Sequence, residues 1–465
     1  MSIFANYCWA NAEHVDCGCL LTAKLKPNNL FILSLQQCSM LEQKHIVIIG
    51  AGFAGLKLAR MLNNNPHYSI TLIDKNNYHQ FQPLFYQVAT ASLDASNISF
   101  PLRKIFQKSK NVRIKIGVVN EILVEENVLK TSIGNITYDY LIIATGADTN
   151  YFGNTHIMQN AYPMKTTVEA LQLRTQLIEN FEQAALTTNK DVLQKLLNIV
   201  IVGGGPTGIE LSGALAEMKR YILPKEYPEI DFSNMSIYLL EGSDRVLGAM
   251  SNTSSIKSKK YLEDMGVTIC THTIVKDYDG NQIFLQNGEI IPTSLVIWAA
   301  GVKGNVLNGI DKTLIAPGNR IKVDEYNKII NTKNVYAVGD IAFMESEAYP
   351  KGHPQLASVA IDQAKNLSLN LKRMALANKM WKAYTYKNKG AMATVGRSKA
   401  VVELETPKIN IYGSIAWLIW MTVHLFLLMG FKNRIMVFIN WGYKYFTFDQ
   451  SLRLIFSPLS KFKNK

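Results

Sequence analysis

Two copies of one pattern constrain this chain more than anything else in it: a short apolar, largely β-branched run that ends in three glycines at GxGxxG spacing. The first copy is HIVIIGAGFAG over residues 45–55, with Gly50, Gly52 and Gly55. Its apolar run predicts a buried parallel strand leading straight into a helix. In such a unit the first glycine permits the tight turn, the second lets the backbone approach a pyrophosphate, and the third lets the helix pack on the strand. The helix N-terminus then faces the phosphates. An acid is expected about 20 residues on, at the end of the next strand, to hold a ribose hydroxyl. Asp74, closing SITLID over 69–74, stands there. The second copy is NIVIVGGGPTG over 198–208, with Gly203, Gly205 and Gly208, and SIYLLE over 236–241 ends on Glu241 after a longer gap. A single GxGxxG also fits a turn that binds nothing. Its repetition implies two dinucleotides exchanging electrons.

A chain of 465 residues, 48% hydrophobic and 18% charged, suits two or three folded domains rather than disorder. The net charge of +13 is concentrated at the C-terminal end, where residues 379–465 hold 14 Lys and Arg against three acids. The same segment is the most apolar and aromatic, which favours an anionic membrane surface over nucleic acid. A basic soluble tail is the alternative. Of five cysteines four precede residue 40 (Cys8, Cys17, Cys19 and Cys38), leaving only Cys270 in the folded part. That is neither a disulfide framework nor the ligand spacing of a metal site, so no metal is expected. Residues 1–43 form an extension without periodicity, signal peptide or transit peptide, and Met40 is the expected start of translation. N-terminal sequencing that begins before residue 40 refutes that expectation.

In chain order, KNNYHQFQPLFYQVAT over 75–90 is too aromatic and amide-rich for an ordinary surface loop. Residues 100–103 cap a short helix, and 112–116 and 122–129 supply strands. A buried strand over 138–146 ends on Ala144, Thr145 and Gly146. Residues 166–186 predict a helix with a Thr166/Glu169 capping box. LVIWAAG over 295–301, ending on Gly301, mirrors the earlier strand and supports an internal duplication. NVYAVGD over 334–340 places Asp340 after Gly339 at a turn, where it accepts hydrogen bonds from a polyol; an N-cap of the next helix is the lesser reading.

These residues resemble the two-dinucleotide-binding flavoprotein reductases and, within them, the type II NADH dehydrogenases, single-subunit NADH:quinone oxidoreductases. GAGFAG (50–55), ATG (144–146), GGGPTGIE (203–210) and AVGD (337–340) occur throughout the wider class. The discriminating stretches are YHQFQPLFYQVAT (78–90) and GAMATVGR (390–397). The resemblance runs from about residue 44 to the C-terminus. It implies an α/β fold with two Rossmann-like domains for FAD and NADH and a C-terminal amphipathic helical anchor: FAD domain over 44–160 and 319–378, NADH domain over 161–318, membrane-associating domain over 379–465. FAD is expected on the first glycine set with Phe53, Ala54, Asp74, Lys75, Gln82, Ala144, Thr145, Gly146, Gly339 and Asp340. NADH is expected on the second set with Pro206, Thr207, Glu241 and Gly301. An anionic Glu241 accepts from both ribose hydroxyls and repels a 2′-phosphate, which predicts NADH over NADPH.

The family's quinone motif AQxAxQ falls on ASVAID over 357–362, where Ser358 and Asp362 replace both glutamines. The resemblance assigns quinone contact to Gln355, Ala357, Ser358, Ala360 and Asp362. Gln355 and Gln363 point away from the replaced positions on a helix. Restoring Gln at 362 is expected to raise quinone affinity. Glu210 and Lys389 take catalytic roles by resemblance, near the flavin and the quinone pocket. The alternatives are a helix-dipole anion for Glu210 and an ordinary solvated lysine.

Residues 410–431 carry no formal charge and are long enough to span a bilayer. Asn433, Asn440, Lys444 and Thr447 then recur at helical spacing among apolar residues, which predicts a helix lying in the interface. Basic residues flank both segments, including the tail over 461–465. Peripheral attachment to the cytoplasmic face of the cell membrane is expected, with a homodimer and two half-reactions through one flavin: NADH oxidation, then quinone reduction without proton pumping. The rivals are a soluble reductase of a ferredoxin-like carrier and a flavin-bearing binding protein. Sulfide:quinone and disulfide reductases need a cysteine pair, which Cys270 alone does not supply.

Overall fold

The computed structural model describes residues 43–376, 380–449 and 452–455. The N-terminal extension with its four cysteines, the Met40 start and the 461–465 tail lie outside them.

The first glycine pattern sits at the centre of a five-stranded parallel sheet. Strand β1 (Lys44–Ile49) feeds helix α1 (Phe53–Met61) and pairs with β2 (Tyr68–Asp74). Helix α2 (Phe85–Ala89) follows, then β3 (Val112–Ile116) beside β2 and β4 (Tyr140–Ile143) on the other side of β1. The second glycine pattern repeats this arrangement. After β5 (Tyr162–Pro163) and α3 (Thr167–Leu186), strand β6 (Asn198–Val202) leads into α4 (Pro206–Tyr221). Strands β7 (Ser236–Leu240), β8 (Val267–Cys270) and β9 (Leu295–Trp298) complete its sheet, in the order β5-β9-β6-β7-β8. The chain then returns to the first sheet with β10 (Val335–Ala337), giving β10-β4-β1-β2-β3. Each glycine-bearing strand is third of five, and its fully buried residues are those of a sheet covered on both faces. The capping box forms: Thr166 Oγ1 accepts from Glu169 N at 3.2 Å, and Glu169 Oε2 from Thr166 N at 3.0 Å.

Helix α5 (Ala357–Ala375) packs on α1. An antiparallel sheet of β11 (Ala391–Val395), β12 (Lys399–Glu405) and β13 (Lys408–Tyr412) follows, and then α6 (Ser414–Leu427) and α7 (Phe431–Thr447). Ala393, Val401, Trp420 and Trp441 share one apolar core with Leu211 and Leu215 of α4 and Leu173 and Phe181 of α3.

The C-terminal helices correct two sequence expectations. Residues 410–431 are not one segment: 410–412 finish β13, and Gly430, at φ +84°, separates the two helices. Helix α6 has 14 residues, about 21 Å, against roughly 30 Å of hydrocarbon. Among the described residues no helix is long and apolar enough to cross a membrane. The amphipathy of α7 is also reversed from the simple reading, because its polar residues Asn433 and Lys444 face the protein. Asn433 Nδ2 approaches the Ser96 and Ser99 carbonyls at 3.4 Å, and Lys444 Nζ lies 3.7 Å from Glu217 Oε2. Ile415, Leu418, Phe426, Phe431, Phe438 and Phe446 point outward, Phe446 being 82% exposed. Six large apolar side chains exposed on two consecutive helices mark an interaction face.

Candidate active site

The two glycine turns share one construction. Gly50 at φ +98° and Gly203 at φ +110° take a backbone conformation that L-residues rarely adopt, and a Cβ there would lie 2.3 Å from Ala144 O and 2.6 Å from Ala299 O. At the third glycines, Gly55 and Gly208, a Cβ would lie 1.9 and 2.0 Å from the carbonyl oxygen of the first. The middle glycines, Gly52 and Gly205, face open space with nothing within 4 Å. Both are helix N-caps without a side-chain cap, so each turn presents orphan backbone N–H groups to that space. This is a cradle for a pyrophosphate, and the residues present fit FAD and NADH.

The acids after the second strands are fixed in the same way. Asp74 Oδ2 accepts from Ala51 N at 2.6 Å and Oδ1 from Asn76 N at 2.7 Å. Glu241 Oε2 accepts from Gly204 N at 2.6 Å and Oε1 from Ser243 N at 2.8 Å. One bond per oxygen leaves each carboxylate acceptor capacity for a ribose. The intervening residue differs with the acid: alanine accompanies aspartate and glycine accompanies glutamate. A Cβ on Gly204 would lie 2.9 Å from Glu241 Oε2, 3.0 Å from Val246 Cγ1 and 3.1 Å from Glu241 Cβ.

Asp340 lies in a single turn of 3₁₀ helix, Gly339–Ile341, and the next long helix is capped at Leu356, so Asp340 is not its N-cap. Its carboxylate accepts no hydrogen bond from the described residues, and burial raises its pKa against the opposing pull of Lys165 and Arg320. Both flanking glutamines grip this turn. Gln363 Oε1 accepts from Gly339 N at 2.8 Å and Gln355 Nε2 donates to Asp340 O at 3.0 Å. Gln363 Nε2 is buried without a partner, which suits a polar ligand atom at this turn. Ala54 and Ala360 close on it, 3.3 and 3.2 Å from where a Cβ on Gly339 would stand. Thr145 Oγ1 donates to Asn305 O at 2.7 Å, and Gly146 and Gly301 are at positive φ.

The stretch over 78–90 is a strap joining three parts of the molecule. A ring nitrogen of His79 contacts Ala51 O at 2.9 Å in the first glycine turn, and Gln80 Oε1 accepts from Thr167 N at 3.0 Å at the start of α3. Phe53 meets His79 and Phe81 edge-on, Gln82 opens a 3₁₀ turn, and Gln87 Oε1 accepts from the Trp441 indole of α7 at 2.7 Å.

Glu210 is 8% exposed on α4. Its Oε1 accepts from Trp420 Nε1 of α6 at 3.2 Å and Thr394 N of β11 at 3.4 Å. Desolvation outweighs these bonds and pushes its carboxyl up to about 8, so at neutral pH it holds a proton. It lines a pocket with Tyr86, Gln87, Glu217, Trp417, Trp420 and Trp441. Trp420 stacks on His424 with ring centroids 4.0 Å apart, and burial lowers His424 to about 4, leaving it neutral. Seven residues beyond Glu210, Glu217 accepts the Arg397 N–H and pairs with Lys444.

Lys389 Nζ lies 2.5 Å from Asp362 Oδ2, uniting two residues that the sequence places far apart. Thr394, which bonds Glu210, lies five residues beyond Lys389 in the sequence. The Ser358 hydroxyl makes no hydrogen bond with the described residues, and Lys75, Pro206 and Thr207 border the glycine turns. Sequence reasoning missed Trp420, Trp441, Gln87 and Glu217. The apolar surroundings of the two tryptophans in the sequence give no sign that their indole N–H groups turn inward. Gln355, expected at the quinone, and Gln363, to which the sequence gives no role, instead hold the Gly339–Asp340 turn.

Two parallel sheets, each with its glycine-bearing strand at the centre, a glycine cradle and a clasped acid, define a flavoprotein reductase that binds two dinucleotides. The pyridine nucleotide-disulphide oxidoreductase family matches residues 44–364, and the NDH2 C-terminal domain matches residues 388–447. Two proteins of Mycobacterium tuberculosis are similar over most of the chain. The type II NADH:quinone oxidoreductase NdhA is 35% identical, covering 88% of this chain and 89% of its own, and Ndh is 34% identical, covering 86% and 88%. The NDH2 structure from Plasmodium falciparum in complex with NADH shares the fold, with a TM-score of 0.80 at 21% identity over 90% of this chain and all of that one. The chain belongs to the type II NADH:quinone oxidoreductases.

Proposed function

We propose that Glu210 and Lys389 serve the quinone end of an NADH:quinone oxidoreductase whose electrons pass through FAD. The enzyme oxidises NADH and reduces quinone; the apolar C-terminal helices give no support to the ferredoxin-like alternative. Bound FAD supplies the two-electron relay between NADH and quinone. The protein supplies position and protons. Gly50, Gly52, Gly55, Asp74, Gly339 and Asp340 hold the flavin nucleotide, while Gly203, Gly205, Gly208 and Glu241 hold NADH. Glu210, buried and protonated, is placed to give a proton to the reduced quinone and to regain one from solvent.

The observation that carries this reading is the pocket in front of Glu210. Its outer walls, Trp417, Trp420 and Met421 of α6 with Trp441 and Tyr445 of α7, belong to helices whose opposite faces are exposed and apolar. A lipid-dissolved quinone reaches Glu210 between helices that rest on the lipid, so the protein sits on the bilayer surface. Attachment to the cytoplasmic face agrees with a supply of NADH, and the same apolar face leaves room for a homodimer. Stopped-flow mixing of NADH-reduced, detergent-solubilised protein with a short-chain quinone tests the function. Fast flavin reoxidation is expected; fast reduction by NADH followed by slow reoxidation by every quinone overturns it. Protease protection in oriented vesicles tests the face, and light scattering tests the dimer.

A further inference from the structure

The second glycine cradle fixes the direction in which a dinucleotide runs, and the inference rests on reading it as the NADH site. Glu241, the acid for the adenosine ribose, follows β7 on one side of β6. The pyrophosphate then crosses the end of β6, and the nicotinamide half leaves on the other side, over the end of β9. Residues 299–301 form the turn there, and Ala299 O would lie 2.6 Å from a Cβ on Gly203. Beyond this turn the chain is tied to the flavin half of the molecule. Val302–Gly304 pairs antiparallel with Ala147–Thr149, and Asn305 N donates to Gly146 O at 3.1 Å.

Phe152 stands over that turn. The tip of its ring is 3.5 Å from where a Cβ on Gly301 would be, yet the residue is 69% exposed. Its φ is +52°, a conformation that bulky L-residues avoid and that persists only where the surroundings impose it. Here they do. Asn150 N donates to Gly301 O at 3.3 Å, Trp298 Nε1 of β9 donates to Asn150 O at 2.9 Å, and Asn150 Oδ1 accepts from Phe152 N at 2.9 Å. Tyr151 stacks on Trp298, and Asn154 Nδ2 donates to Lys276 O at 3.0 Å on the far side of the loop. A rigid loop thus holds an apolar ring in water, in an unfavourable backbone conformation, beside the path of the nicotinamide. Neither the exposure nor the conformation serves the fold. We propose that Phe152 is the wall against which the nicotinamide riboside of NADH packs, the aromatic face confining the reduced ring where the two halves of the molecule join.

The experiment uses FAD-loaded enzyme with Phe152→Ala, Phe152→Asn and Phe152→Tyr. Calorimetry measures affinity for tetrahydro-NADH, which cannot give up hydride, and for ADP-ribose, which lacks the nicotinamide ring; stopped-flow absorbance follows flavin bleaching by NADH. Phe152→Ala and Phe152→Asn are expected to weaken tetrahydro-NADH about tenfold and to slow bleaching, while ADP-ribose binds as to the parent and Phe152→Tyr keeps most of the affinity. Asparagine adopts the left-handed conformation more readily, so Phe152→Asn should melt no lower than the parent. Unchanged affinity for tetrahydro-NADH in Phe152→Ala and Phe152→Asn overturns the contact. Equal weakening of both ligands with a lower melting temperature also overturns it, because the ring then only supports the turn at Gly301. If the variants bleach as fast as a rapidly bleached parent, the role of Phe152 fails and the function stands. A parent that NADH does not bleach overturns both.

Discussion

The indole of Trp420 donates its N–H to Glu210 Oε1 across 3.2 Å, so a residue of an apolar-faced helix touches the one carboxyl of the pocket that burial keeps protonated at neutral pH. Helix α6 is thereby in direct contact with the carboxyl group of Glu210.

Glu210 sets a pH dependence with a definite sign. Its folded pKa, about 8, lies above the ordinary carboxyl value of 4.5, so the native state keeps a proton that the unfolded chain releases in between, and stability falls as pH rises through that window. Glu210→Gln should melt at a higher temperature than the parent at pH 9 and at the same temperature at pH 4. Its flavin reoxidation by quinone should be slower by a factor on the order of 10² and lose the decline above pH 8. Thermal melts and stopped-flow traces across pH check both; an unchanged pH profile in the variant removes Glu210 from proton transfer.

The glycines of the first turn separate folding from cofactor binding. Gly55→Ala places a methyl 1.9 Å from Gly50 O and should lower the melting temperature of flavin-free protein, whereas Gly52→Ala enters open space and should leave it within a degree or two. FAD titration should nonetheless show weakening by at least tenfold for Gly52→Ala, because the methyl occupies the pyrophosphate approach. Equal FAD affinity for Gly52→Ala and the parent would falsify the cradle.

Glu241 should set nucleotide choice. Glu241→Gln removes the negative charge that a 2′-phosphate meets, and the ratio of kcat/KM for NADPH to that for NADH should rise about tenfold, mostly through KM. Steady-state kinetics with both nucleotides decide it, and an unchanged ratio moves the selectivity elsewhere.

The outward face of α6 and α7 should govern membrane attachment. Leu418 and Phe438 are 60% and 61% exposed, and burying each such side chain is worth roughly 1.5–3 kcal/mol. Leu418→Glu with Phe438→Glu should shift the protein from liposomes to the supernatant on sedimentation, while turnover with a water-soluble quinone stays within about threefold. Retention on liposomes would exclude these helices as the attachment face.

Much of the dinucleotide framework is legible in the sequence because its causes are local. Each apolar run, glycine turn and terminal acid occupies neighbouring residues, and the periodicity of Thr166 and Glu169 fixes the start of α3. The C-terminal site is harder to read, since its contacts join residues far apart. Glu210 meets Trp420 across 210 positions and Gln87 meets Trp441 across 354. Helical spacing shows that Asn433 and Lys444 share a face; it does not show that this face turns inward, because which side is buried depends on a partner surface elsewhere in the chain. Asp362 reads as a lost glutamine until Lys389 is seen beside it.

The clasps at Ala51–Asp74 and Gly204–Glu241 show how each turn is matched to its own acid. The shorter acid tolerates a methyl on the residue that donates to it, and the longer acid fills that volume itself. Any single-step route between the two halves at these positions therefore runs through glycine with aspartate, since alanine with glutamate crowds the turn. Two positions 23 residues apart in one half and 37 in the other are thus tied to each other through one methylene group.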